Sequence, residues 1–251
     1  MARIEVNGVY YNTDEDPKLQ WCAKLKRGFT EGQEHYIQNL TAMYYGLQPL
    51  GFTLEAMAGM AGSIMRESGF NPWRWGGDTG DFESGYGLFM FTPGEGYLYN
   101  QTAASIEWFA PSFYVTHLSD RGQPYDGYAQ LLTFYNDYLG KWSRTGWKNN
   151  WSTSTYATEY ARRQEILDTW GYDYSETVRR LAIDGFKQID DLTLATQAFV
   201  LWYERPTTPT ITIRLSYAQT AYEYLKVIDA QAKGYRRSGM PVWMMIRYRL
   251  F

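Results

Sequence analysis

AMAGMAGSIMRESGFNPW, residues 56–73, is the stretch from which the rest of the chain is read. Pro49 and Gly51 break the chain just before it, and Thr53 caps a new helix that opens at Leu54. Met60, Ala61 and Ile64 share a face suited to burial. The run then ends on one carboxylate, Glu67, with Phe70, Trp73 and Trp75 following closely. The ordinary reading of such a glutamate is a solvated residue near a helix end. The sharper reading starts from desolvation: a carboxyl at the end of a buried face loses water, which favours its protonated form. That form is what a general acid needs near neutral pH.

A second segment bears on this one. Residues 76–96 are glycine-rich and carry Asp78, Asp81 and Glu83, followed by Tyr86-Gly87-Leu88-Phe89-Met90-Phe91. This is turn and short-strand chemistry between helices. A carboxylic acid beside a polar, acid-bearing loop is the arrangement that glycoside cleavage uses. One group protonates the leaving oxygen, and a second handles the charge developing on the sugar or activates water. Two carboxyls about 5 Å apart would favour retention, and about 6.5–9.5 Å inversion.

Composition narrows the field. The chain has 251 residues, 45% of them hydrophobic, which is enough for one large core with decorations. A net charge of −3 supplies no basic field for nucleic acid. Cys22 is the only cysteine, so neither an internal disulfide nor a cysteine-based metal site can form. His35 and His117 are the only histidines, a poor supply for zinc chemistry or a Ser-His-Asp mechanism. No cofactor and no metal are expected. Aromatic residues reach 18%, with 23 Tyr and 10 Trp. Such rings either build the core and its rim or stack on sugar faces. No stretch is long enough for a membrane span, and the start has no signal-peptide pattern.

The remaining organisation follows from pattern. Ile4 to Tyr11 reads as a hairpin turning at Asn7-Gly8, and residues 12–18 as a polar linker. Helices are expected over 31–45, 100–109, 126–140, 153–169, 174–185 and 191–203. A last amphipathic helix is expected over 211–231 through Ile213, Tyr217, Ala221, Tyr224, Leu225 and Ile228. Residues 1–18, 19–232 and 233–251 are read as hairpin and linker, main domain and apolar tail. The tail alternates apolar and basic residues at its end. It reads either as a strand paired with the hairpin or as an anchor reaching a partner or a membrane surface.

Three blocks of this sequence resemble the phage tail lysozyme family. Ala58 to Trp75 is similar to its catalytic helix end, an apolar run leading into E-S-G-x-N-P. Gly85 to Pro93 resembles its G-Y-G-L-x-Q-W-T-P block. Phe199 to Pro206, followed by Arg214 and Ala218, resembles its F-x-x-x-Y/W-E-R-P segment. The blocks occur in the family's order and cover most of residues 35–230.

The resemblance implies a mainly α, lysozyme-like helical domain with a small glycine-rich β/loop segment, related to goose-type lysozymes and lytic transglycosylases. A minor β element is expected at the chain ends. It also implies a peptidoglycan-cleaving glycosidase, muramidase or lytic transglycosylase, carried at a phage tail tip among other tail proteins. Glu67 is then the general acid, and Asp78, Asp81 and Glu83 are candidates for a second carboxylate. Trp75, Tyr86, Gly87 and Tyr203 become substrate contacts, with Tyr203 approaching the carboxyl from the far helix. Glu204 and Arg205 would form an internal ion pair. Met90 and Phe91 stand where the family has Gln and Trp, so a polar side chain able to bond a sugar amide is missing or supplied from elsewhere. That departure leaves open a structural tail protein that keeps the fold with little activity.

Overall fold

The computed structural model describes residues 3–6, 9–12, 17–19, 21, 33–72, 74, 85–91, 126–136, 157–158, 161–162, 165, 182–204, 206 and 208–238. Two strands, β1 (Arg3–Val6) and β2 (Val9–Asn12), pair antiparallel with Val6 opposite Val9. The two-residue connection at 7–8 is the hairpin that Asn7-Gly8 predicts. Among the other described residues most are helical, joined by turns and short irregular segments. The α-helices whose bounds fall among the described residues are α1 (Gln33–Leu47), α2 (Leu54–Ser68), α3 (Asp126–Tyr135), α4 (Leu192–Ala198) and α5 (Ile211–Ser238). A short π-helical turn, Phe199–Glu204, continues α4. This is a mainly α chain, as the lysozyme-like reading requires.

α2 is the central element, packed chiefly along α5 and also against α4, the π turn and α1. Thr53 caps it as the sequence implies: its side chain accepts from Ala56 N at 3.1 Å. The same hydroxyl donates to the Ile189 carbonyl, so the cap also ties the helix start to the segment before α4. Residues 56–65 of α2 are all buried, which a helix achieves only when it is covered on every side. Gly59 and Gly62 explain how neighbours come so close. A Cβ at Gly59 would lie 2.6 Å from Thr196 N of α4, and one at Gly62 would lie 2.9 Å from Ala218 N of α5. Both crossings are backbone against backbone, and only glycine leaves room.

An aromatic core fills the space beside α2. Phe89 stacks on Phe134 of α3 with centroids 5.2 Å apart, and Tyr203 of the π turn meets Phe134 edge-on at 5.0 Å. Phe199 and Phe186 complete this cluster. Just past the end of α2, Phe70 packs against Tyr36 of α1 and Trp21. Full burial pushes the Tyr36 hydroxyl well above the usual phenol range, and Tyr224 adds to the effect.

Some sequence expectations change. The periodicity at 211–231 placed Ile213 on the buried face, but Ile213 is 46% exposed and its neighbour Arg214 is buried. The buried stripe runs through Arg214, Ala218, Ala221, Leu225, Ile228 and Ala232. Small residues take the stripe because α2 lies so close. Moreover, α5 continues to Ser238, past the expected end at 231. The helix expected over 191–203 begins at Leu192 after an Asp191 cap and changes to π geometry at Phe199. The helix expected over 126–140 ends in a turn at Asn136, and residues 137–140 lie outside the described residues, as do 100–109. Residues 157–158, 161–162 and 165 are helical within the expected 153–169, and 182–186 are helical at the end of 174–185. The apolar tail beyond Ser238 also lies outside the described residues. Among the described residues, no helix is long and apolar enough to cross a membrane.

Candidate active site

Glu67 occupies the last turn of α2. Gly69 closes the helix in the left-handed conformation, its N–H reaching the Ile64 and Met65 carbonyls. Phe70 follows with φ of 63°, a left-handed backbone that a bulky residue rarely adopts. Two contacts offset that strain. Its ring is fully buried, and Asn39 of α1 donates to its carbonyl at 2.8 Å. The chain therefore turns sharply after Glu67 and is fixed from the α1 side.

The carboxyl itself is not sealed away as the apolar company of α2 suggested. Its side chain is 28% exposed, and Oε1 accepts an ion-paired hydrogen bond from Arg214 Nη2 at the start of α5. Oε2 has no partner among the described residues. Burial of the helix face is real, but the carboxylate emerges at its rim. Arg214, by contrast, is 2% exposed. Its Nε donates to the Pro209 carbonyl at 3.0 Å and to Thr210 Oγ1 at 3.3 Å, while Nη1 is buried without a partner among the described residues. A buried guanidinium that is incompletely bonded is an expensive group, with each orphaned buried donor costing about 1–3 kcal/mol.

The second block is stitched to the first by polar contacts. Residues 85–91 form a turn closed by reciprocal bonds between Tyr86 and Phe91, N–H to carbonyl, at 3.0 and 2.9 Å. Ser68 Oγ lies 3.1 Å from both the Ile64 and the Leu88 carbonyls, its one proton shared between the helix end and the turn. Gly87 N donates to the Arg74 carbonyl at 2.8 Å. Gln130 of α3 completes the lock: its Oε1 accepts from Leu88 N at 2.7 Å and its Nε2 donates to the Pro72 carbonyl at 2.6 Å. Gly87, at φ of 79°, makes room for that amide, since a Cβ there would sit 2.7 Å from Gln130 Cδ.

The sequence-derived candidates divide accordingly. Tyr86 is 1% exposed and Tyr203 2%, so both rings belong to the packed interior behind the turn rather than to an open stacking surface. Gly87 contributes the turn and its fit to Gln130. Phe91 is fully buried, so the replacement of an indole there changes the core. Met90 is partly exposed at φ of 46° and carries the departure that faces outward. Trp75, Asp78, Asp81, Glu83 and Arg205 lie outside the described residues, so the candidates for a second carboxylate and the expected Glu204–Arg205 pair fall there too. Among the described residues, no cluster of His, Cys, Asp and Glu could hold a metal ion.

Three residues escaped the sequence reading. Asn39 and Gln130 sit in helices with no motif around them. Arg214 was part of a resembling block but carried no role there. A charged residue set in a stripe of alanine and leucine was the available signal for Arg214.

The geometry gathers all three blocks: Glu67 with Arg214 across 147 positions of sequence, Ser68 with Leu88, and Phe89 with Tyr203, whose rings meet edge-on at 5.8 Å. No curated protein matches the chain. A family model described as phage tail lysozyme matches residues 38–225, which takes in every one of these contacts. By that match over most of its length, the chain belongs to the phage tail lysozyme family.

Proposed function

We propose that the chain is a peptidoglycan-cleaving glycosidase carried at a phage tail tip, where it opens the host wall during infection, with Glu67 as general acid. The observation that carries this reading is the placement of Glu67. It is a partly exposed carboxyl at a capped helix end, with one oxygen held by Arg214 and the other without a partner among the described residues. In the first step Glu67 protonates the leaving glycosidic oxygen. As a carboxylate it then takes a proton back, either from water or from a hydroxyl of the cleaved sugar. Asp78, Asp81 and Glu83 remain the candidates for a second carboxylate in the hydrolytic version. Without one in range, the sugar's own hydroxyl closes an anhydro ring. Trp75 is proposed at the cleft wall, with Gly87 supporting the turn behind it.

The test compares the native chain with Glu67→Gln for release of soluble fragments from purified peptidoglycan. The variant is expected to lose at least roughly a hundredfold in rate, the scale for removal of a general acid. Equal release by both would remove Glu67 from the mechanism. Mass spectrometry of the fragments separates hydrolysis, which leaves a reducing end, from transglycosylation, which leaves an anhydro end.

A second reading, a structural tail protein with a silenced lysozyme fold, draws on Met90 in place of a polar residue. No release by the native chain from several wall types would favour it.

A further inference from the structure

Three features at one spot each work against stability. Arg214 is buried with Nη1 unpartnered among the described residues, although its ion-pair partner is more than a quarter exposed. Thr210, which accepts from Arg214 Nε, holds a left-handed φ of 45°, a strained conformation for a β-branched residue. Gly62, a poor helix residue, sits where α5 passes, and a side chain there would meet the backbone of Arg214 and Ala218. A pair serving stability alone is better replaced by well-packed apolar side chains. What the three features share is a result: they set one guanidinium on one oxygen of Glu67.

We infer that Arg214 is the positioning residue for Glu67, holding Oε1 so that Oε2 is the oxygen that carries and delivers the proton. The inference rests on the glycosidase reading above and deepens it. As the O–H bond at Oε2 breaks, the proton passes to the glycosidic oxygen and the glycosidic C–O bond breaks with its electron pair on that oxygen. The carboxylate left behind is already paired with Arg214, so the charge it gains is met by a donor that does not have to move. In the second half the same Oε2 takes a proton from water or from the sugar hydroxyl, and the acid is restored. The Nε bonds to Pro209 and Thr210 keep the fork from turning away in either half.

The test is a double-mutant cycle of Arg214→Met and Glu67→Gln, with Arg214→Lys alongside. Fragment release is measured at saturating wall, wall affinity by co-sedimentation with insoluble peptidoglycan, and folding by thermal melting. Arg214→Met is expected to keep its wall affinity and lose about a hundredfold in rate, the scale of a misplaced reacting group. In the Glu67→Gln background the same change should cost less than about twofold, because there is no proton left to position. Arg214→Lys should recover part of the rate, since an ammonium keeps the charge but not the fork.

A multiplicative loss of equal size in both backgrounds overturns the inference and leaves a structural arginine. So does an unchanged rate in Arg214→Met. If Arg214→Met fails to fold, the cycle is read with Arg214→Lys on the same criterion. Failure of the glycosidase reading looks different: the native chain itself releases nothing, and both statements fall together.

Discussion

The two halves of the candidate site are built in different ways. The helical half, α2 against α4 and α5, is held by close apposition of backbones at Gly59 and Gly62. The turn half, residues 85–91, is held by side chains that bond backbone groups, with Gln130 and Ser68 as the cross-links. The first is tight and buried, and its weakness is added volume. The second is short of regular structure, so its backbone groups depend on specific partners, and its weakness is a lost hydrogen bond. Glu67 lies at the junction and needs both: the crossing delivers Arg214, and the cross-links fix the chain that leaves the helix.

The largest effect should come from adding volume to the helical half. Gly62→Val places a branched side chain where α5 passes, with Ala218 N and Cβ both within 2.9 Å of the first carbon. Helix propensity favours the change by a few tenths of a kcal/mol. Overpacking against backbone opposes it by about 3 kcal/mol or more, so the clash decides the sign. Chemical denaturation should show a chain destabilised by about that amount, and any folded fraction should have lost the Glu67–Arg214 pair. A variant as stable as the native chain would mean that α5 can retreat, and the tight crossing would not be what delivers Arg214.

Removing a polar link should strike the turn half next. Gln130→Leu is close to volume-conserving but leaves Leu88 N and the Pro72 carbonyl buried or half-buried without their partner. Each orphaned group costs about 1–3 kcal/mol. The combined loss is expected near 2–3 kcal/mol, with hydrogen exchange at Leu88 accelerated more than at residues in the middle of α2. Uniform acceleration throughout would show that the turn has no separate dependence on Gln130.

The same contrast sets what the sequence could reveal. The helical half was legible. Thr53, the apolar run and Glu67 predict a capped, buried helix ending on a carboxylate, and that is α2. The hairpin at Asn7-Gly8 was equally local. Legibility failed where a residue acts through a distant partner. Gln130 sits in DGYAQLLTFY, where apolar periodicity records the helix but not which polar side chain turns inward. On α5 the hydrophobic pattern was read through Ile213, because an arginine is normally placed outside. Only the proximity of α2 makes the alanine side of α5 the buried one. Likewise, the Met90-Phe91 departure looked like one event in the sequence, whereas the structure separates it into a core substitution and an outward-facing one.

The smallest prediction turns the contrast around by deleting a polar group from the helical half. Ser63 is fully buried on α2 and its hydroxyl has no hydrogen-bond partner among the described residues. If apposition and not hydrogen bonding holds this half, Ser63→Ala should do no harm. Alanine is the better helix former by about 0.5 kcal/mol, and removing an unsatisfied hydroxyl relieves part of a further 1 kcal/mol or so. The space left by one oxygen returns some of that gain. The net expectation is a stability equal to the native chain's or up to about 1 kcal/mol higher, which is a rise of about 2–4 °C per kcal/mol in a chain of this size. Ser68→Ala, five residues on, removes a hydroxyl shared between α2 and the turn and should lose about 1 kcal/mol instead. Opposite signs for two serines on one helix would place the border between the two kinds of construction between residues 63 and 68, in the last turns of α2 that carry the proposed proton donor. Equal losses would mean that Ser63 holds a bond of its own, and the helical half would then share the vulnerability of the turn.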